Sequence, residues 1–352
     1  MRKESLEFLK QLVTTPSPSG FETEIQEVCK AYSEPYVDEV YKDVHGNQYA
    51  VLNPDGELRV MLAGHVDEIG LMVNSIDDNG YISFAAIGGV DTAVLGAQRV
   101  TIHGAKGPVA GVIGRTAIHL TEPKDRGKAL KMHELWIDIG AKNRKETEKL
   151  VAVGDAATID AGFLELRDNK VVARAFDDRI GGLVVLETVR LLARRKIDCA
   201  VYAVTTVQEE IGLRGATTSS YGCNPHVGVA VDVNHASDYP TCDLKKQGDL
   251  KINGGPILER GPNINPVVGR GLMKVAKDKK IPYQVAAAPR GTGTDANAIQ
   301  LSRGGVAAGL VSIPNRYMHS AVELVSLKDA ENAAKLLAEW VCTLHSGMSF
   351  IP

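Results

Sequence analysis

The chain is poor in aromatic residues, which make up 5% of its 352 positions and include two tryptophans. Base-stacking platforms for nucleic acid need such side chains beside a basic groove. Basic and acidic residues nearly balance, leaving a formal charge of -3, so composition also gives no case for an anionic membrane as partner. No run of apolar residues is long enough for a spanning helix. The opening MRKESLEFLKQL reads as an amphipathic helix without the apolar core of a secretion signal. The five cysteines (Cys29, Cys199, Cys223, Cys242, Cys342) are scattered and form no CxxC pair. That pattern suits reduced thiols in a cytoplasmic protein and argues against a disulfide frame or a thiolate zinc site. Nucleotide signatures are missing too: no GxGxxG follows a strand, and no GxxxxGK precedes Ser or Thr.

What the sequence does contain falls into two textures. Residues 1–34 read as two helices split by TTPSPSG, with Ser19 or Gly20 placed to cap the second. Strands follow at VDEVYKDV, QYAVLN and LRVMLAG, the last ending at His65. Between about 73 and 165 the chain turns to short pieces rich in Gly, Val, Ile and Thr, such as RVTIHGAKGPVAGVIG. Turns every eight to twelve residues there predict a small barrel or sandwich. Beyond 166, strands (CAVYAVTTV, VGVAVDV, YQVAAA, VAAGLVSI) alternate with helices at 181–196, PVVGRGLMKVAKDKK, DANAIQLSR and LKDAENAAKLLAEWVCTLH. The expected architecture is therefore α/β: a mainly parallel sheet with helices on both faces, built from 1–72 and 166–352, with an inserted all-β domain at 73–165. The insert would serve as a lid or an assembly surface, since its strands would carry edges that proteins cover or pair.

Acids and imidazoles collect at strand ends. His65-Val66-Asp67 follow RVMLAG, Asp177-Asp178 follow KVVARAF and open a helix, and Glu209-Glu210 follow YAVTTVQ. Asp232 ends GVAVDV, and His319 comes just after GLVSIPNRYM. Open α/β sheets bind ligands beyond the carboxyl ends of their strands. Taken singly, each position has a plain reading: a hydrogen-bonded structural histidine, a helix cap at Asp178, a solvated turn at the Glu pair. Taken together, carboxylates facing one crevice repel, and a multivalent cation is the simplest remedy. Histidines with carboxylates and no thiolate suit zinc, cobalt or manganese. His65 and Asp67, two apart at a strand end, can share a face, so the carboxylate can orient the imidazole.

The segments GHVDEIG, AFDDRIGG, QEEIGLRGA, DVNHA, GTGTDA and RYMHS, in one order across nearly the whole chain, resemble the tetrahedral aminopeptidases. That family includes glutamyl, leucyl and lysyl aminopeptidases and members named endoglucanases. The resemblance implies removal of N-terminal residues from short peptides with a free amino terminus, using two divalent ions. It implies His65 and Asp232 on one ion, Glu210 and His319 on the other, and Asp177 on both. Glu209 would be the general base, Asp67 the carboxylate that orients His65, and Asp178 the partner of Asp177 in a cis peptide bond. The Gly-rich PRGTGTDANAI would line the substrate pocket, or simply cap the next helix through Thr294 or Asp295. Self-association is implied as well, from dimers to a hollow tetrahedral dodecamer with inward-facing sites. A metal-dependent amidohydrolase or deacylase is the alternative reading. A glycosidase ranks lower, because two histidines have no part in its chemistry.

Overall fold

The computed structural model describes residues 1–352, the side chain of Asp125 excepted. The chain opens with α1 (Lys3–Thr14) and α2 (Thr23–Ser33), each burying an apolar stripe that includes Phe8, Leu9, Leu12 and Val13 on α1. Neither Ser19 nor Gly20 caps α2. Glu22 stands at that cap, and the Ser19 hydroxyl donates to Asp67 instead. A hydroxyl gains more from a buried carboxylate than from a solvated helix end.

Three strands follow, β1 (Glu39–Lys42), β2 (Gln48–Leu52) and β3 (Arg59–His65). Next come β4 (Gly70–Ile76), β5 (Ile82–Ile87), β6 (Arg99–Gly104), β7 (Gly107–Gly114), β8 (Trp136–Asp138), the short α3 (Arg144–Thr147) and β9 (Ala156–Ile159). These six strands close into a barrel in the order β4-β5-β8-β7-β6-β9, filled by alternating residues such as Leu71, Val73, Val100 and Ile102. Closure corrects the expectation of exposed strand edges, because each barrel strand is paired on both sides. What the outside of this region does expose is apolar side chains, among them Val112, Leu120 and Val153.

The remaining elements are β10 (Leu164–Glu165), β11 (Lys170–Ala173), α4 (Phe176–Leu192), β12 (Ala200–Thr206), α5 (Arg214–Cys223), β13 (Val227–His235) and α6 (Leu244–Gln247). They continue with β14 (Ile257–Arg260), α7 (Pro266–Asp278), β15 (Gln284–Ala287), α8 (Asp295–Gln300), β16 (Ala307–Asn315), β17 (Glu323–Ser326) and α9 (Leu327–Val341). An eight-stranded sheet runs β1-β2-β12-β3-β13-β16-β14-β15. Its centre, β12-β3-β13-β16, is parallel and buried on both faces. Val60 and Leu62 face the core under α4 and α9, while Met61 and Ala63 face the one under α5 and α8. Away from the centre the sheet is more mixed than expected: β2 is antiparallel to β1 and β12, and β14 is antiparallel to β16. The five-residue turn between β1 and β2, pinned by the Asp43 carboxylate on three backbone N–H groups, allows only an antiparallel hairpin.

A buried ionic knot ties α1, β3 and α4 together. Glu68 pairs with Arg174 and Arg179 and accepts from the Ser17 N–H, while Arg179 also donates to the Leu12 carbonyl. All three charged residues are buried. Removing one partner of such a knot leaves uncompensated charge, a cost of about 3–5 kcal/mol. Glu68→Gln should therefore lower the unfolding free energy by that amount, read from the denaturant midpoint. A loss under about 1 kcal/mol would show that the two guanidiniums are satisfied without it.

Candidate functional site

Loops beyond the carboxyl ends of β3, β12, β13 and β16 meet the irregular start of α4. His65 ends β3 and Asp67 lies two residues on, Glu209 and Glu210 follow β12, Asp232 lies near the end of β13, and His319 follows β16. Asp177 and Asp178 stand in non-helical backbone inside α4 and are joined by a cis peptide bond. The structure brings all eight together. His65 Nε2 is 3.1 Å from Asp177 Oδ1, and His319 Nε2 is 3.2 Å from Asp177 Oδ2. One carboxylate thus presents an oxygen to each imidazole. Glu209 Oε2 lies 3.7 Å from His65 Nε2, and Glu210 Oε1 lies 3.6 Å from His319 Nε2.

The other ring nitrogens are already engaged. His65 Nδ1 faces Asp67, 3.2 Å from its carbonyl oxygen and 3.4 Å from Oδ1. His319 Nδ1 lies 2.8 Å from the Gly89 carbonyl, which belongs to the loop after β5 of the barrel. Acceptors at Nδ1 make that atom an N–H donor and leave each Nε2 as the nitrogen that faces the cluster. Asp67 Oδ1 accepts from the Glu209 N–H at 3.0 Å, and its Oδ2 accepts from the Glu210 N–H at 3.2 Å and the Ser19 hydroxyl at 2.6 Å. Asp178 Oδ1 accepts from the Gly181 N–H at 3.1 Å, the capping role its place at a helix start suggests.

Charge in this cluster is unresolved. Burial, with Asp177 and Asp295 beside it, pushes Asp232 up to about 8. Burial and then Asp232, Asp295 and Glu210, working against His65, push Glu209 up to about 10. Glu210 is raised well above the carboxylate range by burial and by Asp177. Asp177 goes the other way: burial opposes its charge, but hydrogen bonds from His319 and His65 hold it well below the usual range. The bond to Asp177 in turn raises His319 to about 9. Acids driven to keep protons lie beside imidazoles driven to become cationic, and a divalent cation resolves both by displacing protons. Glu210 Oε1 and Asp178 Oδ2 are buried without a hydrogen-bond partner among the described residues. Two sets, His65-Asp177-Glu210 and His65-Asp178-Asp232, each bring one ligand atom per residue within 4.8 Å of one another. In the second set Asp178, not Asp177, joins His65 and Asp232. Imidazole nitrogens and carboxylate oxygens without thiolate fit zinc, cobalt or manganese.

Several supporting residues escape sequence reasoning. Glu323, at the start of β17, accepts from the Asp177 N–H at 2.7 Å and the His319 N–H at 3.0 Å. Its signal was an acid inside the apolar run AVELV. Glu22 accepts from the N–H groups of Gly20 and Gln208. Asp295, read as a helix cap, is buried under the cluster and takes the Thr206 hydroxyl at 2.5 Å. Thr294 occupies the α8 cap but makes no capping bond there, its hydroxyl lying 2.9 Å from that of Thr292 instead. Left-handed backbone at Ala175, Gln208, Tyr317 and His319, with φ of 58°, 54°, 62° and 60°, surrounds the site. Such conformations cost about 1–3 kcal/mol each and gather where function constrains the chain. A cleft of about 650 Å³ opens on the cluster, walled on one side by residues 287–294.

This fold, with this cluster at its strand ends, places the chain among the peptide hydrolases. The chain belongs to the M42 glutamyl aminopeptidase family, whose model matches residues 46–336. It is similar to the lysyl aminopeptidase of Pyrococcus furiosus, 39% identical over 94% of each chain. A TET aminopeptidase from a marine sediment archaeon of the Thaumarchaeota superposes with a TM-score of 0.94 at 36% identity, covering 98% of both chains. The Pyrococcus horikoshii TET1 peptidase, which can assemble into a tetrahedron or a large octahedral shell, superposes with a TM-score of 0.86 at 30% identity. That match covers 97% of this chain and 100% of the other.

The Asp67 hydrogen bonds generate a test. Asp67→Asn keeps the size of the side chain but turns one acceptor into a donor, facing donors. A lost hydrogen bond to a charged group is worth about 1.5–3 kcal/mol. Amide exchange at Glu209 and Glu210 should accelerate at least about tenfold, and peptide cleavage should fall with it. Unchanged exchange at both amides would show that the loop is held by other contacts.

Proposed function

We propose that the chain cleaves the N-terminal residue from short peptides by water attack on the first peptide bond, with Glu209 as general base at a centre of two divalent ions. The observation that carries this reading is the Asp177 carboxylate, one oxygen toward each histidine. His65 and Asp232 would hold one ion, Glu210 and His319 the other, with Asp177 shared between them. Asp178 is the less suited bridge, because its Oδ1 is committed to the Gly181 N–H. The ions, zinc, cobalt or manganese, would supply Lewis acidity toward water and the scissile carbonyl.

The chain's own residues do the rest. Glu209, whose Oε2 lies 3.7 Å from His65 Nε2 at the edge of the cleft, would take a proton from the attacking water and deliver it to the leaving amine. Asp67 binds the adjacent N–H groups of Glu209 and Glu210, so the two side chains diverge and base is separated from ligand. The carboxylates that line the cleft, Asp177, Glu209, Glu210 and Asp232 among them, favour a free N-terminal amine over a blocked one. Five free cysteines suit a reducing cytoplasm as the place of action.

The test uses chelator-dialysed protein with a leucyl p-nitroanilide and its N-acetyl counterpart. Cleavage should return only when zinc, cobalt or manganese is restored, and the acetylated compound should be nearly inert. Glu209→Gln should lower turnover roughly 10²–10⁴-fold with ion content unchanged by elemental analysis. Equal rates on free and blocked substrates would favour a deacylase or endopeptidase, and loss of ions in Glu209→Gln would make that residue a ligand.

The barrel is our candidate for the assembly surface, its motive being exposed apolar side chains such as Val112 and Leu120 rather than strand edges. By analogy with the Pyrococcus horikoshii peptidase, dimers would build a hollow tetrahedral dodecamer that admits only short peptides. Light scattering should give twelve times the 37.7 kDa chain mass, or twice it where assembly stops at the dimer. A mass of 37.7 kDa would leave the barrel as a lid.

A further inference from the structure

We propose that the cleft beside the cluster receives a cationic side chain, that of an N-terminal lysine or arginine, and that Glu259 selects it; this rests on the aminopeptidase reading above. Asp232 on β13 pairs with Ser312 on β16, and Ser312 pairs with Ile257 on β14. Two-residue alternation then puts Asn234, Ser312 and Glu259 on the same sheet face as Asp232, and all four line the cleft. Glu259 stands two strands across from Asp232 and two residues along, about 12 Å between backbones at ordinary sheet spacing. That is the order of separation between the backbone of a bound N-terminal residue and the tip of a long basic side chain.

Glu259 is 4% exposed, yet it has no cationic partner among the described residues. Its one hydrogen bond is at Oε1, from Asn234 Nδ2 at 2.5 Å. Carboxylates this buried are normally paired. Burial raises its carboxyl above the ordinary range, so an arriving cation gains a partner that lacks one. Ser312 Oγ is likewise buried and has no hydrogen-bond partner among the described residues, so it can accept from an ammonium or guanidinium. Leu310 and Ala288 supply apolar wall for the aliphatic stem. Arg290 and His235 line the same cleft, but at its exposed rim, where water screens them.

Lysyl, norleucyl and glutamyl p-nitroanilides, assayed on ion-loaded enzyme, test the assignment, because norleucine has a similar shape without the charge. The parent should favour lysyl over norleucyl by about 10- to 100-fold in kcat/KM, the value of a hydrogen-bonded charge. Glu259→Gln should bring that ratio close to one. Equal cleavage of lysyl and norleucyl by the parent overturns the proposal even where the variant does not fold. So does a glutamyl preference, which would make Arg290 the reader, or a ratio that survives Glu259→Gln. Cleavage of none of the three would overturn the aminopeptidase reading itself, and this assignment with it.

Discussion

The Asp67 carboxylate, fully buried just past β3, accepts from the Ser19 hydroxyl and the backbone N–H groups of Glu209 and Glu210 while facing His65 Nδ1. Burial alone would neutralise it, but His65, Ser19 and the Glu209 N–H together hold it below the usual carboxylate range. A fixed anion of that kind draws three segments that are distant in sequence onto one point. Two successive N–H groups bound to one carboxylate also settle where the following side chains go. Glu209 lies toward His65 and Glu210 toward His319. The different directions of these adjacent glutamates are thus set by their backbone, not by their chemistry.

Carboxylates around the site fall into two shells with different partners. The outer ones, Asp67, Glu68 and Glu323, are satisfied by N–H, hydroxyl or guanidinium donors. The inner ones, Asp177, Glu210 and Asp232, face imidazoles and each other. Outer donors cannot be shared inward without unpairing a buried acid, so the inner shell has only a cation to turn to. Rigid outer bonding also explains how left-handed backbone at Gln208 and His319 persists, since each lies beside an anchored N–H: Gln208 on Glu22 and His319 on Glu323.

The inner shell was legible in the sequence because each member sits at a strand end or helix start, where chain direction alone aims it at the crevice. His65 ends an apolar run, and Asp177-Asp178 open a helix. Of the outer shell only Asp67 was. Glu22 and Glu323 look like surface acids until the fold brings backbone N–H groups to them across 186 and 146 residues. Glu259 was unreadable for a related reason, because β14 joins the sheet antiparallel and periodicity in a four-residue strand says nothing of its direction. Turn spacing announced the β-rich stretch but not its closure, which depends on β4 finding β9 some 80 residues later.

The barrel strands carry no candidate ligand, yet this part of the chain reaches into the site. The Gly89 carbonyl takes the His319 Nδ1–H, and a Cβ at Gly89 would stand 3.0 Å from the imidazole. Neighbouring Gly88 has φ of +73°, and a Cβ there would lie 3.2 Å from Glu210 Cβ. Backbone therefore presses directly on two inner-shell residues, a closeness only glycine allows. The tautomer of His319 is set by this loop rather than by the sheet that carries the other imidazole. A displacement of the barrel large enough to move Gly89 would release Nδ1 and let the ring turn. His319 therefore takes its alignment from the loop that leaves the barrel as well as from the sheet behind it.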